Sequence, residues 1–158
     1  MSLTGALADK IGDKAKPLHI SEWVKGATAE APVNVTDGKN VYVVEFWATW
    51  CGPCRTSIPH LTALQKQYKD KGVVFVGISN ETMEEVKPFV EKQAEKMDYV
   101  VALDKERLTS DDYMRAYGQN GIPTAFIINK KGQIAWMGHP MDMDDPLEEI
   151  VTGTYDLE

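Results

Sequence analysis

The sequence predicts an α/β fold with a central mixed β-sheet flanked by helices. Three observations carry that reading. Residues 41–48 and 73–79 are near-continuous runs of apolar, β-branched and aromatic side chains, the composition of central strands covered on both faces. Each run is followed by apolar residues at helical spacing: Ile58, Leu61, Leu64 and Tyr68 after the first, Val86, Phe89 and Val90 after the second. The alternation then gives way to two strands joined by a tight turn, and a last helix, which makes the sheet mixed.

Taken in order, residues 1–20 form a polar, mixed lead-in, in which Met1, Ser2 and Leu3 read as an expression remnant in place of a native leader or anchor. Residues 21–25 read as a short helix with Ser21 as its N-cap. A turn cluster at 36–40 precedes the strand at 41–48. The helix over 53–70 contains Pro59, which should kink it. After the strand at 73–79 come an amphipathic helix over 81–96, a strand at 99–103, and a short helix over 109–117 ended by Gly118. Residues 123–129 and 133–137 form a hairpin about Lys130, Lys131 and Gly132. The closing helix, over about 144–152, carries Asp144 and Asp145 in its first turn, where negative charge complements the dipole. There is no internal repeat and no low-complexity tract.

A chain of 158 residues with 43% hydrophobic and 26% charged residues is one globular domain that can bury a substantial core. The net charge of −7, with no basic patch, excludes nucleic acid as a partner. No stretch approaches the roughly 18 apolar residues of a membrane span. The N-terminal residues lack the basic start and apolar middle of a signal peptide.

The chain's two cysteines, Cys51 and Cys54, stand three apart where a buried strand gives way to a helix. That arrangement points to redox chemistry, because the spacing brings both sulfurs to one side of the first helical turn. A zinc site would need two further ligands nearby, and the histidines are only His19, His60 and His139. No metal is therefore assigned. The segment 136–143 does hold soft donors in Met137, His139, Met141 and Met143 that a copper site would use. A hairpin end and loop account for them without metal. His60 reads as a solvent-facing helix residue.

Residues 46–55, from Phe46 through Trp50, Cys51, Gly52, Pro53 and Cys54 to Arg55, resemble the active-site signature of the thioredoxin superfamily. Pro59 stands five residues after Cys54, where that family's active-site helix is kinked. Gly121, Ile122, Pro123 and Thr124 open a strand as the family's cis-proline loop does, and the hairpin follows. The resemblance covers roughly residues 41–152. The helix and strand at about 82–103 form an insertion absent from plain thioredoxins and similar to that of the TlpA/ResA-type thiol–disulfide oxidoreductases, which are often periplasmic and membrane-anchored.

The resemblance implies a single thioredoxin-like domain over 1–158 that reduces protein disulfides. Cys51 would attack, its thiolate stabilised by the helix N-terminus. Lowering a thiol pKa from about 8.5 to about 7 raises the thiolate fraction at pH 7 roughly 15-fold, of which a factor of about 5 is returned as lost nucleophilicity. The net gain in attack is therefore small, and the larger benefit is a better leaving group when the mixed disulfide is resolved. Cys54, deeper in the helix, would resolve that intermediate. Glu45, an acid on an apolar strand, would accept its proton, since burial raises a carboxyl pKa toward the range of a useful base. The Gly52-Pro53 spacer resembles reducing thioredoxins, near about −270 mV, more than oxidants near about −120 mV. A cis Pro123 would bring its loop beside Cys51 and expose the Ile122 backbone to an extended substrate segment. Trp50 would rim that surface.

The implied partners are protein disulfide substrates and a dithiol electron donor, either a membrane dithiol relay or a thioredoxin-reductase-like protein. The expected state is a monomer without a bound cofactor, periplasmic or membrane-anchored in its native form, with a cytoplasmic setting as the alternative. Two other functions compete. A thiol peroxidase of the peroxiredoxin type carries Pro seven and Thr three residues before its attacking Cys, where this chain has Val44 and Ala48. A copper-binding metallochaperone of this fold uses a longer Cys spacing with a distal His.

Overall fold

Strand β2 (Val41–Phe46) lies in the middle of the sheet because all six of its residues can be covered on both faces, and all six are buried. The computed structural model describes residues 9–157, so the reading of Met1, Ser2 and Leu3 lies outside the described residues. On one side β2 pairs in parallel with β3 (Val73–Ser79), which pairs in parallel with β4 (Val100–Asp104). On the other it pairs antiparallel with β5 (Thr124–Ile128), which pairs antiparallel with β6 (Ile134–Gly138). With β1 (Ile20–Lys25) antiparallel to β4, the strand order is β1-β4-β3-β2-β5-β6. The sheet is mixed, as expected.

Alternation along β2 divides its side chains between two cores. Val41 and Val43 face a cluster built with α1 (Gly52–Tyr68), α2 (Met83–Gln93) and α4 (Asp144–Thr152). Tyr42, Val44 and Phe46 face a second cluster that includes Tyr113, Met114 and Tyr117. By the same alternation Glu45 points to the α1 side. Thr82 starts α2 with a reciprocal capping box to Glu85, which satisfies two orphan backbone donors at once. The inserted helix–strand unit expected at 82–103 is α2 and β4.

Residues 21–25 are a strand and not the expected helix. Five residues make too few internal bonds to offset helix nucleation, whereas the open edge of β4 supplies a ladder from Ile20↔Asp104 to Lys25↔Val101. The Ser21 hydroxyl, read as an N-cap, donates instead to the carbonyls of Leu103 and Asp104 at 3.3 and 3.4 Å. The expected helix at 109–117 begins at Leu108 as α3 (Leu108–Ser110) and widens into a π turn over Asp111–Arg115. Asp104, at the end of β4, accepts from the Thr109 and Ser110 backbone N–H groups at 2.8 Å each and so fixes the start of α3. The described part of the lead-in also pairs with the sheet: Gly12 N donates to Ile134 O at 2.8 Å and Ile134 N to Asp13 O at 2.9 Å. That strap covers part of the β6 edge, which would otherwise be open to a second chain.

Candidate active site

The site grows from the point where β2 ends. Trp47 still donates its N–H to Ile78 O at 3.1 Å, and the chain then leaves the sheet to start α1. The loop between is held by a residue the sequence reading did not single out. Glu81, just beyond β3, accepts from Thr49 N at 2.8 Å, Thr49 Oγ1 at 2.6 Å and Ser79 Oγ at 2.8 Å. Arg55 closes the other side, donating from Nη1 to Thr49 O at 2.7 Å. Nothing in the local pattern around Glu81 marks it, because its partners come from two different strand ends.

Cys51 is the N-cap of α1, in extended conformation, and the Cys54 N–H donates to its Sγ at 3.2 Å. Pro53 sits in the first turn, where its missing N–H costs nothing. No acidic residue stands in that turn to oppose the positive end of the dipole. Cys51 and Cys54 are joined in a disulfide with their Cα atoms 5.2 Å apart. Cys51 is 5% exposed and Cys54 fully buried, so an incoming group reaches Cys51 first. Gly52 and Pro53 are exposed beside them.

The Ile122–Pro123 peptide bond is cis, and it sets the Ile122 carbonyl oxygen 3.9 Å from Cys51 Sγ. Pro123 is buried and Ile122 half-buried. Trp50, next to Cys51, is 70% exposed, far more than any other large apolar side chain among the described residues. The fold thus brings Trp50, Cys51, Ile122 and Pro123 together from two separate stretches of chain.

Glu45 is buried on the α1 side of the sheet, 2% exposed, with neither carboxylate oxygen hydrogen-bonded to protein. Its in-register neighbours are Gly77 on β3 and Ala125 on β5, two residues small enough to leave room for a carboxyl group. Burial alone pushes its pKa well above the usual carboxylate value, since nothing charged nearby offsets the loss of water. Cys54 belongs to the core cluster on the same side of the sheet.

One other reading changes. His60 is not simply solvent-facing: it is half-buried, and its Nε2 lies 2.6 Å from Asp144 Oδ1, tying α1 to the start of α4. The soft donors at 136–143 are dispersed. Met143 is buried in the cluster on the α1 side, Met137 packs against the opposite cluster, Met141 is exposed, and His139 Nδ1 accepts from Met141 N at 3.1 Å.

This architecture has known counterparts. A thiol:disulfide interchange protein of the thioredoxin family from Chlorobium tepidum superposes with a TM-score of 0.62 at 29% identity, covering 88% of this chain and 99% of that one. The thiol-disulfide oxidoreductase ResA of Bacillus thuringiensis is 37% identical over 98 residues, or 61% of this chain and 53% of ResA. Protein FixW of Rhizobium leguminosarum is 25% identical over 153 residues, or 92% of this chain and 67% of FixW. The chain thus spans about half the length of the ResA protein it matches. The Redoxin family pattern matches residues 10–150, from the strap on β6 to the last turn of α4 and including the disulfide pair. With that match running through nearly all of the described fold, the chain belongs to the Redoxin family.

Proposed function

We propose that this protein is a thiol–disulfide oxidoreductase that reduces disulfides in protein substrates. The observation that carries this reading is the Cys51–Cys54 pair at the start of α1, with one sulfur reachable and receiving a backbone N–H while the other is buried. In the reduced protein the Cys51 thiolate attacks one sulfur of the substrate disulfide, forming a mixed disulfide and releasing the substrate's other sulfur as a thiolate, which takes a proton from solvent. Cys54 then gives its proton to Glu45 and attacks Cys51 Sγ. The Cys51–Cys54 disulfide forms, and the second substrate sulfur leaves as a thiolate. Two electrons have moved from the protein dithiol to the substrate.

The Ile122 backbone, beside Cys51, is suited to pair with an extended segment of substrate, with Trp50 as an apolar wall. A dithiol donor must restore the reduced pair by the reverse sequence, in which protonated Glu45 returns its proton to the departing Cys54 thiolate. The likeness to TlpA/ResA-type proteins supports an extracytoplasmic setting with a membrane dithiol relay as that donor. Among the described residues no helix is long and apolar enough to cross a membrane. Fractionation of cells expressing the full-length gene tests the setting, and recovery of all the protein in the cytosol refutes it.

Insulin reduction with a dithiol donor tests the activity. Cys51→Ser should abolish it, and Cys54→Ser should accumulate a mixed disulfide on Cys51. Full activity in Cys51→Ser overturns the assignment. The Gly52-Pro53 spacer supports a reducing poise. Equilibration against glutathione checks this, and ready reduction of the pair at mild glutathione ratios contradicts it.

A further inference from the structure

The buried side-chain polar atoms without a protein hydrogen-bond partner, among the described residues, are Glu45 Oε1 and Oε2, Trp47 Nε1 and Tyr99 Oη. Buried polar groups are ordinarily paired with protein or with ordered water. These do not lie scattered. Trp47 and Tyr99 both belong to the core on the α1 side of the sheet, the side to which Glu45 points. They converge over Gly77, the in-register neighbour of Glu45: a Cβ there would stand 3.1 Å from Trp47 Nε1 and 3.2 Å from Tyr99 Cε1. The absence of a side chain at 77 is what lets an indole N–H and a phenol ring approach the flank of a carboxyl group.

The geometry points to an internal water site held by Trp47 and Tyr99 against Glu45, which makes Tyr99 a positioning residue for the proton that Glu45 exchanges. The Trp47 indole is a donor only, the Tyr99 hydroxyl donates or accepts, and the carboxyl does either according to its charge. One water accepting from Trp47 Nε1–H, bonded to the Tyr99 hydroxyl and donating to one oxygen of Glu45, gives each of the three side chains a partner. Burial, and then the negative charge of Glu45, push the Tyr99 hydroxyl well above its usual pKa, so it keeps its proton. The other residues packed around Glu45 leave this pair isolated. Its in-register neighbours, Gly77 on β3 and Ala125 on β5, do not titrate, burial is the sole cause of its raised pKa, and Cys54, the group served, lies in the core on the same side of the sheet. A donor network aimed at the carboxylate favours its charged form, so Tyr99 tunes the pH at which Glu45 can act as a base.

This inference rests on Glu45 being the proton partner of Cys54, and its test is read without turnover. The oxidised protein, labelled with ¹³C at glutamate carboxyls, is titrated by NMR as wild type and as Tyr99→Phe, which keeps the ring. The Glu45 midpoint should rise in the variant by about 0.7 pH unit, roughly fivefold in proton affinity, as expected when the water that donates to the carboxylate loses one neutral hydrogen-bond partner. In wild type, the Trp47 indole N–H should show a cross-peak to a long-lived water. An unchanged or lowered midpoint, or no such water signal, overturns the proposal. Either result leaves disulfide exchange by Cys51 and Cys54 standing, and failure of insulin reduction would not alter this titration.

Discussion

Glu45→Gln changes one atom of the side chain, and the pH dependence of stability is where that change is most visible. Glu45 is 2% exposed, without a protein hydrogen bond, and burial raises its pKa well above the ordinary value. In the unfolded chain a glutamate titrates near pH 4.3. Between that pH and the raised folded value the native protein holds a proton that the unfolded chain has lost. Stability in this window therefore falls as pH rises, by about 1.4 kcal/mol per pH unit. The contribution is fully present below about pH 4.3 and fully lost once pH passes the folded value. Gln carries no ionisable proton, so the variant should lack this slope and gain on wild type steadily above about pH 4.3 until wild type's Glu45 is ionised. Urea unfolding of both oxidised proteins at intervals from about pH 4 to pH 9 reads the difference directly. Resolution of the mixed disulfide by Cys54 should slow about 10-fold or more at neutral pH, given the usual range for general-base catalysis. Attack by Cys51 should be nearly unaffected. Parallel stability–pH curves for the two proteins would refute the buried-carboxyl reasoning, and unchanged kinetics in both steps would refute its link to Cys54.

Two further changes separate loop support from substrate contact. Glu81→Gln leaves one acceptor oxygen where the carboxylate receives bonds from Thr49 and Ser79. It should reduce stability by about 1–3 kcal/mol; a thermal-melt shift indistinguishable from zero would show that the loop does not depend on Glu81. Trp50→Ala removes a side chain that is 70% exposed, so stability should stay within about 0.5 kcal/mol of wild type. KM for a protein disulfide should nevertheless rise about 5- to 30-fold, or about 1–2 kcal/mol, while reaction with a small disulfide is unchanged. Equal losses with both substrates would place Trp50 outside the protein-binding surface.

The sequence by itself determined the features whose causes are local. The run at 73–79 became β3 with those bounds, and 144–152 became α4, because an unbroken apolar run and a helical pattern carry their own evidence. The spacing of Cys51 and Cys54 sufficed to bring the sulfurs together, since a helical turn alone achieves it. Tertiary structure decided what depends on partners far along the chain. Residues 21–25 took strand form because the edge of β4, some 80 residues away in sequence, offered a ladder that five residues of helix could not match. His60 met Asp144 only once α1 and α4 were packed together. An acid on an apolar strand marked Glu45 as unusual. Its surroundings did not follow from that strand: Gly77 and Ala125 make its room, and Trp47 and Tyr99 approach it, because parallel and antiparallel neighbours place β2 between β3 and β5. Periodicity records which way a side chain faces, while what it faces is set by which strands the sheet puts side by side.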